Sequence, residues 1–284
     1  MQIKKGKKGS CLRRIAGGVL LLAAAACFAF ALLNWKREKT AESSYTELKE
    51  EVTEKEEQPE TEEDVPEETP EEAPEKTPTA APEVSSEPER YESAVDFEAL
   101  WERNADAYAW IRIEGTAIDY PILQKEGNDD YYLNTTIDGQ SGLPGSIFTE
   151  TVSARDFSNY NTVIYGHNMR DGSMFAALHN YADINFMEEH PYIEIFLPDQ
   201  KLIYEIFAAV VFDDSNLNFT YDFSGETDRE SFLEDISSTR EMQSVVNTEK
   251  LAGTEDKLIT LSTCIGNRPE NRWLVIAKQI ENAE

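Results

Sequence analysis

Seven prolines, at positions 59, 66, 70, 74, 78, 82 and 88, punctuate a glutamate-rich stretch that has almost no aromatic residues, and this stretch decides where the chain can fold. Residues 38–90 hold 20 acidic and five basic side chains. Such a segment has too little apolar area to offset its ordering entropy. Residues 36–90 are therefore expected to form an acidic, Pro/Glu-rich disordered spacer, with only the early TELKEEVTEKEE able to form transient helix. A core has to come from residues 91–284, a length that suits one domain.

Upstream of the spacer runs IAGGVLLLAAAACFAFALL, Ile15 to Leu33, without a charge. Nineteen residues of helix reach roughly 28 Å, about the hydrocarbon thickness of a bilayer. Lys4, Lys5, Lys7, Lys8, Arg13 and Arg14 precede the run and outnumber Lys36 and Arg37 after it. The positive-inside rule then makes residues 1–14 a cytoplasmic basic tail and 15–35 a transmembrane signal anchor, with the rest outside the cell. A cleaved signal peptide is the rival reading, since AAAACFA offers small residues to a peptidase. Cys27 follows four alanines as a lipoprotein cysteine would, but Phe28 to Leu33 stay apolar where a mature lipoprotein turns polar.

The formal net charge of −29 is divided as +8 over residues 1–37, −15 over 38–90 and −22 over 91–284. A body this acidic lacks the cationic footprint that nucleic acid requires, so no nucleic-acid partner is expected.

From about Tyr91 the pattern becomes that of a folded domain. VDFEALWERNADAYAWI opens with an amphipathic helix that places Phe97, Leu100 and Trp101 on one face and Asp96 at the N-cap. Short β-type runs follow: WIRI, AIDYPIL, GSIFT, NTVIYG, YIEIFL, LIYEIFAAVVF, KLITLST and RWLVIAKQI, separated by turn signals such as NDD, DGQSG and PDQ. MFAALHNY and DRESFLEDISSTREM read as helical. Many strands with few helices between them predict a mainly β fold, a closed or nearly closed barrel decorated by helices.

Cys264 is the one cysteine beyond the apolar run, so it has no intramolecular disulfide partner there and is either a buried small residue or a reactive thiol. KLITLST leads into it as a strand and IGNRPEN leaves it as a turn, so Cys264 stands at a strand end. A nucleophilic thiol needs a proton acceptor or a cation nearby, because free cysteine is only a few per cent thiolate at neutral pH. Of the three histidines, His190 precedes Pro191, His179 falls in MFAALHNY, and His167 ends the strand NTVIYGH. The strand-to-loop position of Gly166–His167 is the most site-like. Arg272 opens the strand RWLVIAK, and an antiparallel pairing across the intervening loop would set it beside Cys264. Arg268, next to Glu270, reads as an ordinary loop cation.

At these residues the chain resembles the sortases, cysteine transpeptidases of Gram-positive cell surfaces, and within them class B. The resemblance lies in TLSTC ending at Cys264, the Arg that opens the next strand, and YGHNM followed by DGSMF. FEALWERNADAYAWIRIEGTAIDYPILQ and YYL followed by GSIF add to it, so that it covers roughly residues 94–280. It implies an eight-stranded β-barrel with an N-terminal helix and a long helix, DRESFLEDISSTREM, before the cysteine-bearing strand. It makes Cys264 the nucleophile, His167 the catalytic histidine and Arg272 the arginine, with Leu133 and Ser262 lining the peptide groove. Asp129 stands where relatives often have Asn, and the segment from Cys264 to Arg272 is short for the class.

The implied reaction is cleavage of a C-terminal sorting motif after threonine, through a Cys264 thioester resolved by an amine. The implied partners are sorting-motif-bearing secreted proteins and the amine of a peptidoglycan precursor or a pilin. No cofactor or metal is expected. Two other readings stand beside this one. A cysteine peptidase would hydrolyse surface peptides, although papain-like wall enzymes run Cys before His, the reverse of His167 and Cys264. A non-catalytic surface binding module would be indifferent to Cys264.

Overall fold

The apolar runs of the sequence become strands in the computed structural model, which describes residues 8–53 and 91–280, with side chains from residue 23 onward. In chain order these are β1 (Ala107–Arg112), β2 (Asp119–Leu123), β3 (Ile147–Thr149), β4 (Asn161–Tyr165), β5 (Tyr192–Phe196), β6 (Lys201–Asp213), β7 (Val245–Val246), β8 (Leu258–Ile265) and β9 (Arg268–Ile280). The sheet runs β5-β1-β2-β3-β4-β8-β9-β6, and β6 pairs back onto β5, which closes eight strands into a barrel. The two-residue β7 hangs on β6 and was not signalled by the sequence. Closure removes the exposed sheet edges along which an open β-sheet would aggregate.

The side-chain period of two explains why the middle of RWLVIAK, Trp273 to Ala277, is apolar throughout. Trp273, Val275 and Ala277 enter the barrel core, while Leu274 and Ile276 join a second cluster on the outer face. That cluster is covered by two helices, Leu217–Thr220 and the longer Glu226–Ser238, the second contributing Phe232 and Ile236. The longer helix is the one expected from DRESFLEDISSTREM, within narrower bounds. A strand buried on both faces has no polar side to alternate, and so reads as a continuous apolar run.

The helix expected near the domain's start is Phe97–Arg103, and Asp96 caps it by accepting from the N–H groups of Glu98 and Ala99. Phe97 and Leu100 are buried, and Trp101, 42% exposed, packs its ring beside that of Phe97 with centroids 5.9 Å apart, at the rim of the same face. Its indole N–H donates to the carbonyl of Ala107 at 3.0 Å. MFAALHNY forms a 3-10 turn, Ala176–Ala182, in place of the expected helix.

A 46-residue helix, α1 (Lys8–Thr53), corrects the expected spacer boundary. Residues 36–53, assigned to the spacer by composition, are helical, and Ala41, Tyr45, Leu48 and Val52 are buried against the barrel. These positions recur at intervals of four, three and four, a helical stripe that the surrounding glutamates mask in any compositional average. The Tyr45 hydroxyl donates to the carbonyl of Gly145 at 2.8 Å and accepts from the N–H of Ile137 at 3.3 Å. Arg103 bridges to Asp138 at 2.8 Å, and Ser44 bonds to the same carboxylate. Lys49 pairs with the buried carboxylate of Asp119. The remainder of the expected spacer, residues 54–90, lies outside the described residues.

Among the described residues no helix is long and apolar enough to cross a membrane. The expected span, from residue 15, lies within α1, and the side chains of residues 15–22 fall outside those described.

Candidate active site

The site is built where β4 and β8 end side by side. They pair in parallel, Asn161 to Leu258 through Tyr165 to Ser262. The alignment continues past β4, because the N–H of Gly166 donates to the carbonyl of Ser262 at 3.2 Å and the Thr263 hydroxyl donates to the carbonyl of Gly166 at 2.7 Å. Carrying this register two residues past the end of β4 sets His167 level with Cys264 in sequence alignment. On the other side β8 pairs antiparallel with β9, and Cys264 stands directly opposite Arg272. The juxtaposition expected from the spacing is therefore present, although the connecting turn is tighter than IGNRPEN suggested: β9 already begins at Arg268.

Gly166 is required at this corner. A Cβ there would lie 2.5 Å from Ile147 Cδ1 and 2.7–2.8 Å from the ring of Phe175. Only the absence of a side chain lets the strand pass Phe175 and present His167 at its end. The loop that follows folds back on itself: the N–H of Phe175 donates to the carbonyl of His167 at 2.9 Å, and Asn168 pairs with Met174. Tyr120 fixes the far side, its hydroxyl accepting from the N–H of Met174 at 3.1 Å.

Cys264 is exposed and forms no disulfide. His167 points its Nε2 at the carbonyl of Leu133, 2.7 Å away. A carbonyl only accepts, so Nε2 carries a hydrogen there. Arg272 donates from Nη1 to the carbonyls of Pro269 and Asn271, at 2.9 and 3.0 Å. Those bonds hold the guanidinium over the turn, and Nη2 takes no hydrogen-bond partner among the described residues. Arg268 faces away to Glu241, at 3.4 Å, as a loop cation would.

Leu133 lies in a 3-10 turn, Tyr131–Asn134, with its side chain 39% exposed beside the histidine it bonds. Ser262 is only 6% exposed and lies beneath the site. The fit of the Leu133 turn depends on Gly145, at φ +68°, where a Cβ would come within 2.6 Å of the Leu133 oxygen. Among the described residues no cluster of His, Cys, Asp and Glu is placed to hold a metal ion.

Two further residues reach the site that sequence reasoning left aside. Asn168 donates from Nδ2 to the carbonyl of Cys264 at 3.1 Å, and the Nε2 of His179 lies 3.1 Å from the same oxygen. Asn168 was hidden inside the motif as a neighbour of His167. His179 carried no signal, because its approach depends on how the 3-10 turn folds over β9.

The Sortase domain family matches residues 111–280, more than half the chain. Sortase B of Listeria monocytogenes is 38% identical over 168 residues, covering 58% of this chain and 65% of that protein, just under two thirds of its length. Sortase B of Staphylococcus aureus is 33% identical over 187 residues, covering 65% of this chain and 75% of that protein. The X-ray structure of Clostridium perfringens sortase B superposes with a TM-score of 0.59 at 29% identity, covering 66% of this chain and 100% of that one. With a closed eight-stranded barrel and a cysteine and histidine at the ends of adjoining parallel strands, the chain belongs to the sortase family, as a member of class B.

Proposed function

We propose that this protein is a cell-surface cysteine transpeptidase that cleaves a sorting motif after threonine and passes the acyl group to an amine. The observation that carries this reading is the register around Cys264, with Arg272 directly opposite on the antiparallel neighbour and His167 in the loop two residues past the end of the parallel one. His167 takes the thiol proton of Cys264, and the thiolate attacks the threonine carbonyl carbon and forms a tetrahedral oxyanion. Arg272 donates to that oxygen or to the substrate backbone, using hydrogens not engaged by the turn. The C–N bond breaks as His167 gives a proton to the leaving amine, leaving a Cys264 thioester. An incoming amine attacks the thioester and gives its proton to His167, and the thiolate departs.

Leu133, exposed next to His167, is the groove residue nearest the chemistry; Ser262 supports the groove from below. The substrates are secreted proteins with a short motif such as Asn-Pro-Xaa-Thr-(Asn/Gly), and the acceptor is a peptidoglycan-precursor or pilin amine. Residues 15–35 anchor the enzyme in the cell membrane with the N-terminus cytoplasmic and the barrel outside. The exposed apolar side chains Phe28, Phe30, Leu32, Leu33 and Trp35 on α1 support that anchor, Trp35 standing where an interfacial aromatic belongs.

The test is to incubate the full chain in detergent with fluorogenic peptides of the Asn/Ser-Pro-Xaa-Thr-Asn/Gly type, with and without an added amine, and to read products by mass spectrometry. Amine-dependent ligation after threonine, lost in Cys264→Ala, is the expected result. Cleavage to the free acid alone at every amine concentration would favour a hydrolase.

A further inference from the structure

Behind the nucleophile lies a cluster that the reaction above leaves unused. His179 is half-buried in the 3-10 turn Ala176–Ala182. Its ring stacks on that of Trp273, with centroids 5.6 Å apart and planes inclined by 23°. Trp273 follows Arg272 on β9, is buried, and donates its indole N–H to the carbonyl of Leu178 at 2.7 Å. The turn is thus fixed to β9 by a ring contact and a hydrogen bond on consecutive residues, Leu178 and His179.

From that fixed base the Nε2 of His179 reaches the carbonyl oxygen of Cys264 at 3.1 Å and the Nδ2 of Asn168 at 2.9 Å. Asn168 Nδ2 itself donates to the same carbonyl at 3.1 Å. With a hydrogen on Nε2, His179 donates to the Cys264 carbonyl directly. With the hydrogen on Nδ1 instead, Nε2 accepts from Asn168, whose second amide hydrogen goes to the carbonyl. In either arrangement the oxygen is held from the side of His179 and Asn168.

The carbonyl needs such a hold because the regular strand ladder ends at the Cys264–Arg272 pair. The β8–β9 register jumps from Cys264 opposite Arg272 to Ile265 opposite Arg268. The jump leaves Pro269, Glu270 and Asn271 of β9 without partners on β8, and such an irregularity bends the ladder, so the peptide that follows Cys264 is not fixed by strand pairing alone. A peptide plane pinned at its oxygen sets the Cα–Cβ direction of Cys264, and with it the place of the sulfur between His167 and Arg272.

We propose that His179 is a positioning residue for the nucleophile, acting with Asn168 through the Cys264 carbonyl. The proposal rests on Cys264 being the reacting thiol. It concerns the orientation of that thiol and leaves substrate contacts untouched, so the effect falls on kcat.

The experiment compares His179→Ala, His179→Gln and Asn168→Ala in the full chain with the unaltered protein. Two readouts are taken: kcat and KM on the best peptide from the library above, and the rate of Cys264 alkylation by iodoacetamide, resolved from other cysteines by peptide mass spectrometry. Losing one net hydrogen bond of this kind gives a fall of roughly fivefold to tenfold in kcat for each alanine variant. KM and the urea midpoint stay at the unaltered values, alkylation slows in parallel, and His179→Gln, which can donate or accept at the same reach, restores most of both rates. Alkylation and kcat unchanged in both alanine variants would overturn the proposal, and so would a loss that glutamine fails to restore. If the unaltered protein turns over no peptide, the proposed function fails, and alkylation alone still decides the role of His179.

Discussion

The backbone N–H of Asp96 donates to the carbonyl of Val52 at 2.9 Å, which brings the end of α1 against the cap of the first domain helix. The chain leaves α1 after Thr53 and is described again from Tyr91 beside the same corner. The apolar run is held to the barrel by α1 itself, whose residues Ala41, Tyr45, Leu48 and Val52 are buried against it. Replacing residues 54–90 by a short Gly/Ser bridge should therefore keep peptide turnover within about twofold, since the free energy of closing a connection changes only slowly with its length. Turnover and melting temperature of the bridged protein check this. A collapse of either would place a structural role in the excised segment.

The opposite holds for the helical stripe. Leu48 is fully buried in the main core cluster, and Leu48→Ala should cost about 2–5 kcal/mol, the usual range for a truncated core leucine. Tyr45→Phe keeps the ring but leaves the Gly145 carbonyl and the Ile137 N–H without their partner, and should cost about 1–2 kcal/mol. Urea unfolding of the two variants measures both. A protein shortened to residues 91–284 should unfold earlier than either, because it loses the whole stripe.

Docking of α1 should also weaken in acid. Burial by itself would raise the pKa of Asp138, but the Arg103 guanidinium and the Ser44 hydroxyl outweigh it and hold the carboxyl below its ordinary value. A carboxylate depressed on folding adds stability that is complete above its unfolded pKa, about 3.9, and lost as pH falls through the lower folded value. The stability difference between the unaltered protein and Asp138→Asn should be constant near neutrality and shrink below about pH 4. Melting curves across that range supply the measurement, and a difference independent of pH would contradict the assignment.

Gly166→Ala tests how His167 is aimed. The new methyl would meet Ile147 and the Phe175 ring at 2.5–2.8 Å, so strand or ring must move. Overpacking of this kind costs about 1–3 kcal/mol. The displaced His167 should lower kcat by more than tenfold, since misplacing a reacting group by about an ångström costs up to a hundredfold. Peptide kinetics on the folded variant measure this.

What could be read in the sequence follows from how local each signal is. The strands were legible as apolar runs, and the Cys264–Arg272 pairing followed from two runs joined by a short turn. The Asp96 cap was legible because it satisfies N–H groups only two and three residues away. The docking of α1 was not, because Tyr45, Leu48 and Val52 are spaced for a helix yet lie among glutamates that dominate any composition count. Barrel closure through β5 and β6 could be expected only in outline, since strand order is set by long-range pairing. His179 was illegible for the same reason: it meets Cys264 across 85 residues through the stacking of one turn on Trp273.

The most direct measurement is the intact mass of the protein after brief mixing with a threonine-containing sorting peptide, followed by peptide mapping. The account predicts an acyl adduct on Cys264 alone, labile to hydroxylamine, that disappears on adding an amine as the ligated product forms. Turnover of the peptide with no adduct on Cys264, or the same turnover in Cys264→Ala, would contradict it.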